Sequence, residues 1–220
     1  MGPILSFKLS AVLLTLPAGQ QHIFDCLAAS VWVETGALTF NEASADTEHA
    51  AHAFGPVHTE NAGSAGARAL VYAIHAGDAA THDTFANEHM TRLREEHVRF
   101  EPKETVFRLD RVTFPPGAVA YRHIHPGPGI RYLTRGKLEI SSDHDTLIMQ
   151  AGDTWFEGAN APVKATADPH ATSEFVRVLL LPAEYQGRPT LKRLKPEDLE
   201  KPTLQTNHRY FDHLLDRLTS

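Results

Sequence analysis

The sequence predicts an all-β protein built from two tandem small barrels, and two observations carry that prediction. Short runs rich in Val, Ile, Leu, Tyr and Phe are punctuated by Gly, Pro, Asn and Asp turns, as small barrels and jelly rolls require. The order of those runs also repeats within the chain. FKLSAVLLTLPAG at 7–19 and FRLDRVTFPPG at 107–117 share Phe, a basic residue, Leu and a later Val, and each ends in a Pro-containing turn closed by Gly. SVWVETGALTF at 30–40 matches GIRYLTRGKLEI at 129–140, two runs joined through Gly36 and Gly136 that read as hairpins. ARALVYAI at 67–74 matches SEFVRVLLLP at 173–182, an apolar strand that closes each half.

These matches set the boundaries. Residues 1–78 form the first barrel and 104–185 the second. Between them, 79–103 is polar with scattered apolar positions and reads as a connecting helix plus linker. In the C-terminal extension, 186–220, residues Phe211, Leu214, Leu215 and Leu218 recur at helical spacing, while Asp212 and Asp216 face elsewhere. That stripe predicts a C-terminal docking helix.

Composition excludes several function classes. The 220 residues carry 21 Lys plus Arg against 27 Asp plus Glu, a net charge of -6, so no positive field is present to hold nucleic acid. Cys26 is the single cysteine; it has no disulfide partner and no Cys-x-x-Cys spacing, which fits a reducing, cytoplasmic setting. The apolar stretch at 4–18 is interrupted by Lys8 and preceded by no basic residue, so it reads as a strand rather than a signal peptide. A myristoylation-like start is present, but Pro3 beside Gly2 opposes it. No uninterrupted run of about eighteen apolar residues exists, so no membrane partner is expected. Phosphate-binding glycine loops and a Gly-x-Ser-x-Gly elbow are absent from the sequence.

The chemistry concentrates at His123-Ile124-His125. Residues two apart on a strand share a face, so both imidazoles are expected to project into the second barrel, where neutral ring nitrogens can coordinate a metal. The pair follows Gly117 by five residues and precedes Gly136 by ten. In that spacing the chain resembles the first motif of the cupin superfamily, the RmlC-like jelly rolls: Gly, five residues, His-x-His, three or four residues, Glu, six residues, Gly. Gly152-Asp153 resembles the start of the second motif. The resemblance implies two tandem cupin double-stranded β-helix barrels, similar to quercetinase-like bicupins, with a divalent Fe, Mn, Ni or Zn ion on three His and a Glu. It also implies a homodimer.

The sequence departs from the family's motif in an informative way. Gly129 stands at the family's Glu position and Val163 at its third His position, so His123 and His125 are half of a ligand set. Glu157 or Glu139 could serve as a substitute carboxylate if the backbone shifted, but strand direction does not by itself bring either one into the cavity. Arg131 shares the inward parity of the vacant Glu position, where it would repel a cation. With Tyr121, which has the parity of the histidines, it would form a patch for a carboxylate or phosphate. Alternatively, Arg131 leans to the barrel mouth and pairs with a surface acid. The first half keeps Gly55-x-x-His58, with Asn61 one residue short, but has no His-x-His and shows Ala29 at the Glu position. Its inward Val31 and Val33 predict an apolar interior, leaving His22 as the only nearby histidine and His58 as a relic or a satisfied turn residue.

Three readings of function follow. The two lost ligands favour a protein that holds a small organic acid in the second barrel, around the partial site of His123 and His125, with Tyr121 and Arg131 as ligand contacts. The retained histidine pair supports a metal-dependent, quercetinase-like dioxygenase, which is the activity expected if the chain is an enzyme. The third reading is a metal-free, sugar epimerase-like protein with His123 or His125 as general base near Tyr121.

Overall fold

A computed structural model describes residues 5–76, 88–100 and 104–215. The chain divides into two compact units, Met1–Glu101 and Pro102–Ser220. The first contains β1 (Leu5–Leu16), β2 (Gln21–Phe24), β3 (Ala28–Thr35), β4 (Ala37–Phe40), β5 (Ala43–Asp46), β6 (Ala50–Phe54), β7 (Val57–Glu60), β8 (Ala67–Ala76) and β9 (Met90–Phe100). The second contains β10 (Thr105–Phe114), β11 (Val119–Ile124), β12 (Gly129–Arg135), β13 (Lys137–Ser141), β14 (Thr146–Gln150), β15 (Thr154–Glu157), β16 (Val163–Ala167), β17 (Ser173–Pro182), β18 (Lys192–Arg193) and β19 (Thr206–Leu214).

The repeat seen in the sequence is a repeat of topology. The first unit's sheets run β6-β3-β8-β1-β9 and β2-β7-β4-β5; the second unit's run β15-β12-β17-β10-β19 and β14-β13-β16-β11-β18. Strand for strand the orders correspond, with β18 as an addition on β11. Gly36 and Gly136 are not hairpin turns, because β3 and β4, like β12 and β13, belong to different sheets. They are the corners where the chain crosses between layers. Gly136 has φ of +79°, and a Cβ there would lie 2.4 Å from the carbonyl oxygen of Thr172.

Both expected helices are corrected. The described part of the linker, Met90–Phe100, is strand β9 on the edge of β1, while 77–87 and 101–103 lie outside the described residues. The C-terminal segment through Leu214 is strand β19 on the edge of β10, with 216–220 outside the described residues. β19 bulges between its pairings Phe211 with Leu109 and Arg209 with Asp110, so Tyr210 has no direct partner in the register. A bulge converts same-face spacing from two residues to three. Arg209 and Asp212 thereby reach the same side, where Asp212 meets Arg108 at 2.9 Å. β9 carries an equivalent bulge opposite Ala11 and Val12.

The interior of the first unit is apolar. Val12, Leu14, Phe24, Val31, Val33, Phe40, Val57 and Val71 belong to one buried apolar cluster, as the inward parity of Val31 and Val33 predicts. Asn61 is buried and structural: its amide donates to the carbonyls of Leu16 and Ala65, both at 2.8 Å, and its oxygen accepts from Gly63 N–H. His58 points outward and is exposed between inward Val57 and Thr59. The second unit has an apolar cluster including Phe114, Leu133, Leu138, Trp155 and Phe175, but beside it the interior opens into a cavity.

Candidate functional site

The cavity encloses about 490 Å³ within the second unit, in the range typical of small-molecule sites. One part of its wall is apolar: Val112, Phe114, Ala120, Ile140, Trp155 and Phe175. Trp155 and Phe175 meet edge to face with centroids 5.2 Å apart. The other part is polar and contains His123, His125, Arg131, Glu157, Arg177 and Asp110. The C-terminal extension completes the wall with Thr190, Thr203, Gln205, Asn207 and Arg209.

β11 aims the two histidines by breaking its own alternation. Its pairing with β16 shifts register between Ala120 and His123. Ala120, His123 and His125 therefore all line the cavity, whereas Tyr121 and Arg122 face the other side of the sheet in a separate groove with Lys195, Asp198 and Lys201. Tyr121 thus lies outside the cavity, and its ring carries the Lys201 ammonium 4.4 Å from its centroid. Counting by twos from His123 fails here because parity does not survive a bulge.

The two imidazoles sit 5.0 Å apart and differ in what their Nε2 lone pairs meet. Nδ1 of His123 is 2.8 Å from the Tyr121 carbonyl, which only accepts, so Nδ1 carries the proton and Nε2 the lone pair. His125 Nε2 lies 3.3 Å from Arg177 Nη1. A guanidinium has no acceptor, so Arg177 donates and the lone pair on Nε2 is occupied; Nδ1 then donates to Thr190 Oγ1 at 3.1 Å. Burial, followed by the positive charges of Arg177 and Arg131, holds the His125 pKa well below 6.5. Burial also lowers His123, partly offset by Glu157. Both imidazoles are neutral at physiological pH.

Arg131 is inward and buried, as its parity predicts, and its acid is inside the barrel too: Nη2 lies 2.7 Å from Glu157 Oε2. Its Nη1 donates to the Gly129 carbonyl at 2.6 Å, and Trp155 Nε1 holds the other Glu157 oxygen at 2.9 Å. Asp110, Arg177, Arg108, Thr190 and Arg209 were not singled out from the sequence. A signal was present for three of them: Arg108, Asp110 and Arg177 are charges inside otherwise apolar strands, all buried. Asp110 Oδ2 accepts from Arg177 Nη2 at 3.0 Å and Nε at 3.3 Å. Four arginines (108, 131, 177 and 209) face Asp110 and Glu157, with Asp212 held against Arg108. With neutral histidines, one positive charge remains uncompensated.

The family's metal fits these residues poorly. Val163 occupies the third His position directly opposite His123 and is buried among apolar side chains. At the Glu position, a Cβ on Gly129 would lie 2.0 Å from the carbonyl oxygen of Val178, so no side chain can stand there without moving β17. His125 has its acceptor nitrogen engaged by a cation. Among the described residues, no three His, Cys, Asp or Glu side chains converge as a metal cluster.

Residues 110–178 match the family model described as Cupin domain. The fold is a cupin fold. Solved structures agree in architecture at low identity. An oxalate decarboxylase from Lactobacillus farciminis, solved as a formate complex, is 14% identical, with 80% of this chain and 78% of that one covered and a TM-score of 0.59. A tryptophan-to-tyrosine variant of the Bacillus subtilis oxalate decarboxylase is 15% identical over 78% of this chain and 68% of its own, also with a TM-score of 0.59. The polyketide cyclase RemF from Streptomyces resistomycificus is 18% identical over 41% of this chain, which spans 61% of RemF, with a TM-score of 0.35. The two oxalate decarboxylase likenesses concern the fold alone. No curated protein matches this chain. Among the described residues no helix is long and apolar enough to cross a membrane.

Proposed function

We propose that this cupin-fold protein binds a small organic acid in the cavity of its second unit, without a metal ion. The observation that carries the reading is the hydrogen bond from Arg177 to His125 Nε2. A metal ion on His125 would need that same lone pair, and the positive excess of the pocket in a low-dielectric setting suits a monoanion. Phe114, Trp155 and Phe175 provide an apolar wall for the body of such a ligand. Arg131 and Arg177, each held by its own carboxylate, are fixed in place before the ligand arrives.

The test uses protein purified without a His-tag. Transition metal is expected far below stoichiometric amounts, with no change in melting temperature in chelator. Phenylacetate at 100 times its Kd is expected to stabilise the second unit by about 2.7 kcal/mol, roughly 5–10 °C at this chain length. Stoichiometric metal that disappears in the His123→Ala/His125→Ala variant would overturn the reading in favour of the dioxygenase. A metal-free proton-transfer enzyme is the second reading. One observation favours it: the Nε2 lone pair of His123 is left to the cavity by the Nδ1 bond to Tyr121. Tyr121 itself lies outside the cavity and cannot be its partner.

A further inference from the structure

The sheet that turns His123 toward the cavity carries a second concavity on its other side, a groove of about 370 Å³. One wall is the sheet itself, with Tyr121 and Arg122 on β11, Ser141 on β13 and Lys164 on β16. The other is the segment 194–205 between β18 and β19, which contributes Lys195, Asp198 and Lys201. Four cations thus face one carboxylate, in a chain whose net charge is -6. They are divided between the walls: Arg122 and Lys164 on the sheet, Lys195 and Lys201 on the segment.

Local pairing does not remove the excess. Lys201 Nζ meets Asp198 Oδ1 at 2.7 Å, with Glu197 acting on it from outside the lining, and Arg122 is paired with Asp143. Lys164 and Lys195 make no ion pair among the described residues. One uncompensated positive charge therefore stands on each wall, and the two repel across the gap until an anion lies between them. An ammonium is a compact charge with three donors and no fixed fork, which suits the several oxygens of a phosphate better than the single plane of a carboxylate. Ser141 Oγ accepts from Thr146 at 3.3 Å, so its own proton is available to the same ligand.

The groove and the cavity share both walls. β11 sends His123 to the cavity and Tyr121 to the groove, and the segment sends Thr203 and Gln205 to the cavity and Lys195 and Lys201 to the groove. Across the groove the segment is attached by the Lys201 ammonium on the Tyr121 ring and by Leu194 N–H, which donates to the Arg122 carbonyl at 3.0 Å. We propose that this groove is a second binding site, for a small phosphate-bearing anion, and that its occupant fastens the segment 194–205 onto β11 and β16. The site stands whichever ligand the cavity holds.

The experiment is calorimetric titration of the full chain at constant ionic strength with inorganic phosphate, pyrophosphate and glucose 6-phosphate, and with acetate as the control. Saturable binding of a phosphate probe is expected, about tenfold or more tighter than acetate; the tighter of inorganic phosphate and glucose 6-phosphate identifies the source. In the Lys164→Gln/Lys195→Gln variant the affinity is expected to fall about tenfold or more. Both lysines are exposed, so the variant is expected to fold. Lys137→Gln, at an exposed position of β13 outside the groove, is expected to leave the affinity within about twofold. Amide hydrogen exchange across 196–205 is expected to slow about threefold or more at saturation. No saturable phosphate binding, or equal losses in Lys137→Gln and the double variant, would overturn the site. Binding that phenylacetate displaces and the double variant spares would put the phosphate in the cavity and overturn it too. Saturable binding in the groove with unchanged exchange across 196–205 would overturn the fastening.

Discussion

Removing Arg177 should do more damage than removing the whole ion pair it belongs to. Arg177 and Asp110 meet at 3.0 Å with side chains 9% and 1% exposed. At an effective dielectric of 20 their attraction is about 5–6 kcal/mol, against a desolvation cost of several kcal/mol per ion. The net worth of the pair is therefore small, but either charge left alone keeps its cost. Arg177→Met leaves Asp110 buried with Arg209 as its nearest cation, 3.8 Å away. Asp110→Leu leaves a buried guanidinium beside neutral His125. Each single variant is expected to lose about 3–5 kcal/mol, or roughly 6–20 °C. The double variant is expected within about 2 kcal/mol of the parent, a coupling that marks the two residues as one unit. Denaturant unfolding followed by Trp155 fluorescence in a Trp32→Phe background isolates the second unit. Single losses below about 1 kcal/mol, or losses that add within about 0.5 kcal/mol, would refute the argument.

Three further outcomes are expected. Stability should fall as pH drops below about 6.5, because His123 and His125 have folded pKa values lowered chiefly by burial. The unfolded chain takes up protons first, so the stabilisation is complete above the unfolded pKa and is lost on acidification, with a slope of up to about 1.4 kcal/mol per pH unit for each histidine. Denaturant midpoints between pH 5 and 8 check this, and the His125→Asn variant should show a shallower slope. Gly129→Ala should abolish or severely destabilise the second unit, since its Cβ would lie 2.0 Å from the Val178 carbonyl oxygen; a soluble variant melting at the parent temperature would contradict this. Arg193→Ala should open the cavity wall. Its guanidinium donates to the carbonyls of Asp198 and Lys201 and to Thr203 Oγ1, which tie down the chain leading to the cavity-lining Thr203 and Gln205. Faster proteolytic cleavage within 198–205, with β-sheet circular dichroism unchanged, is the expected readout.

The elements that were legible in the sequence share one property: their signal is local. Phe7 and Phe107 head equivalent strands because each run carries its own alternation and its own terminating turn. Val31 and Val33 face inward as their parity predicts, in a strand without a bulge at that point. Arg131 likewise points inward, as expected from Gly129 two residues before it. The misreadings fall where pairing with a distant strand changes the local count. Tyr121 turned away because β11 shifts register on β16. The predicted C-terminal helix is β19, where pairing of Phe211 to Leu214 with Leu109 to Val106 of β10 overrides the apolar spacing of the segment itself.

The sequence by itself determined that this chain is all-β, that its runs repeat in order, and that His123 and His125 stand at the spacing of a cupin-like motif. Only the tertiary structure decided what surrounds those histidines. His125 lies against Arg177, 52 residues further along the chain, and accepts a hydrogen bond from its guanidinium. Alternation and turn chemistry act between neighbours in sequence, so they can be read along the chain. A lone pair is committed by whatever donor the fold brings to it, and that depends on strand pairings that no local pattern encodes.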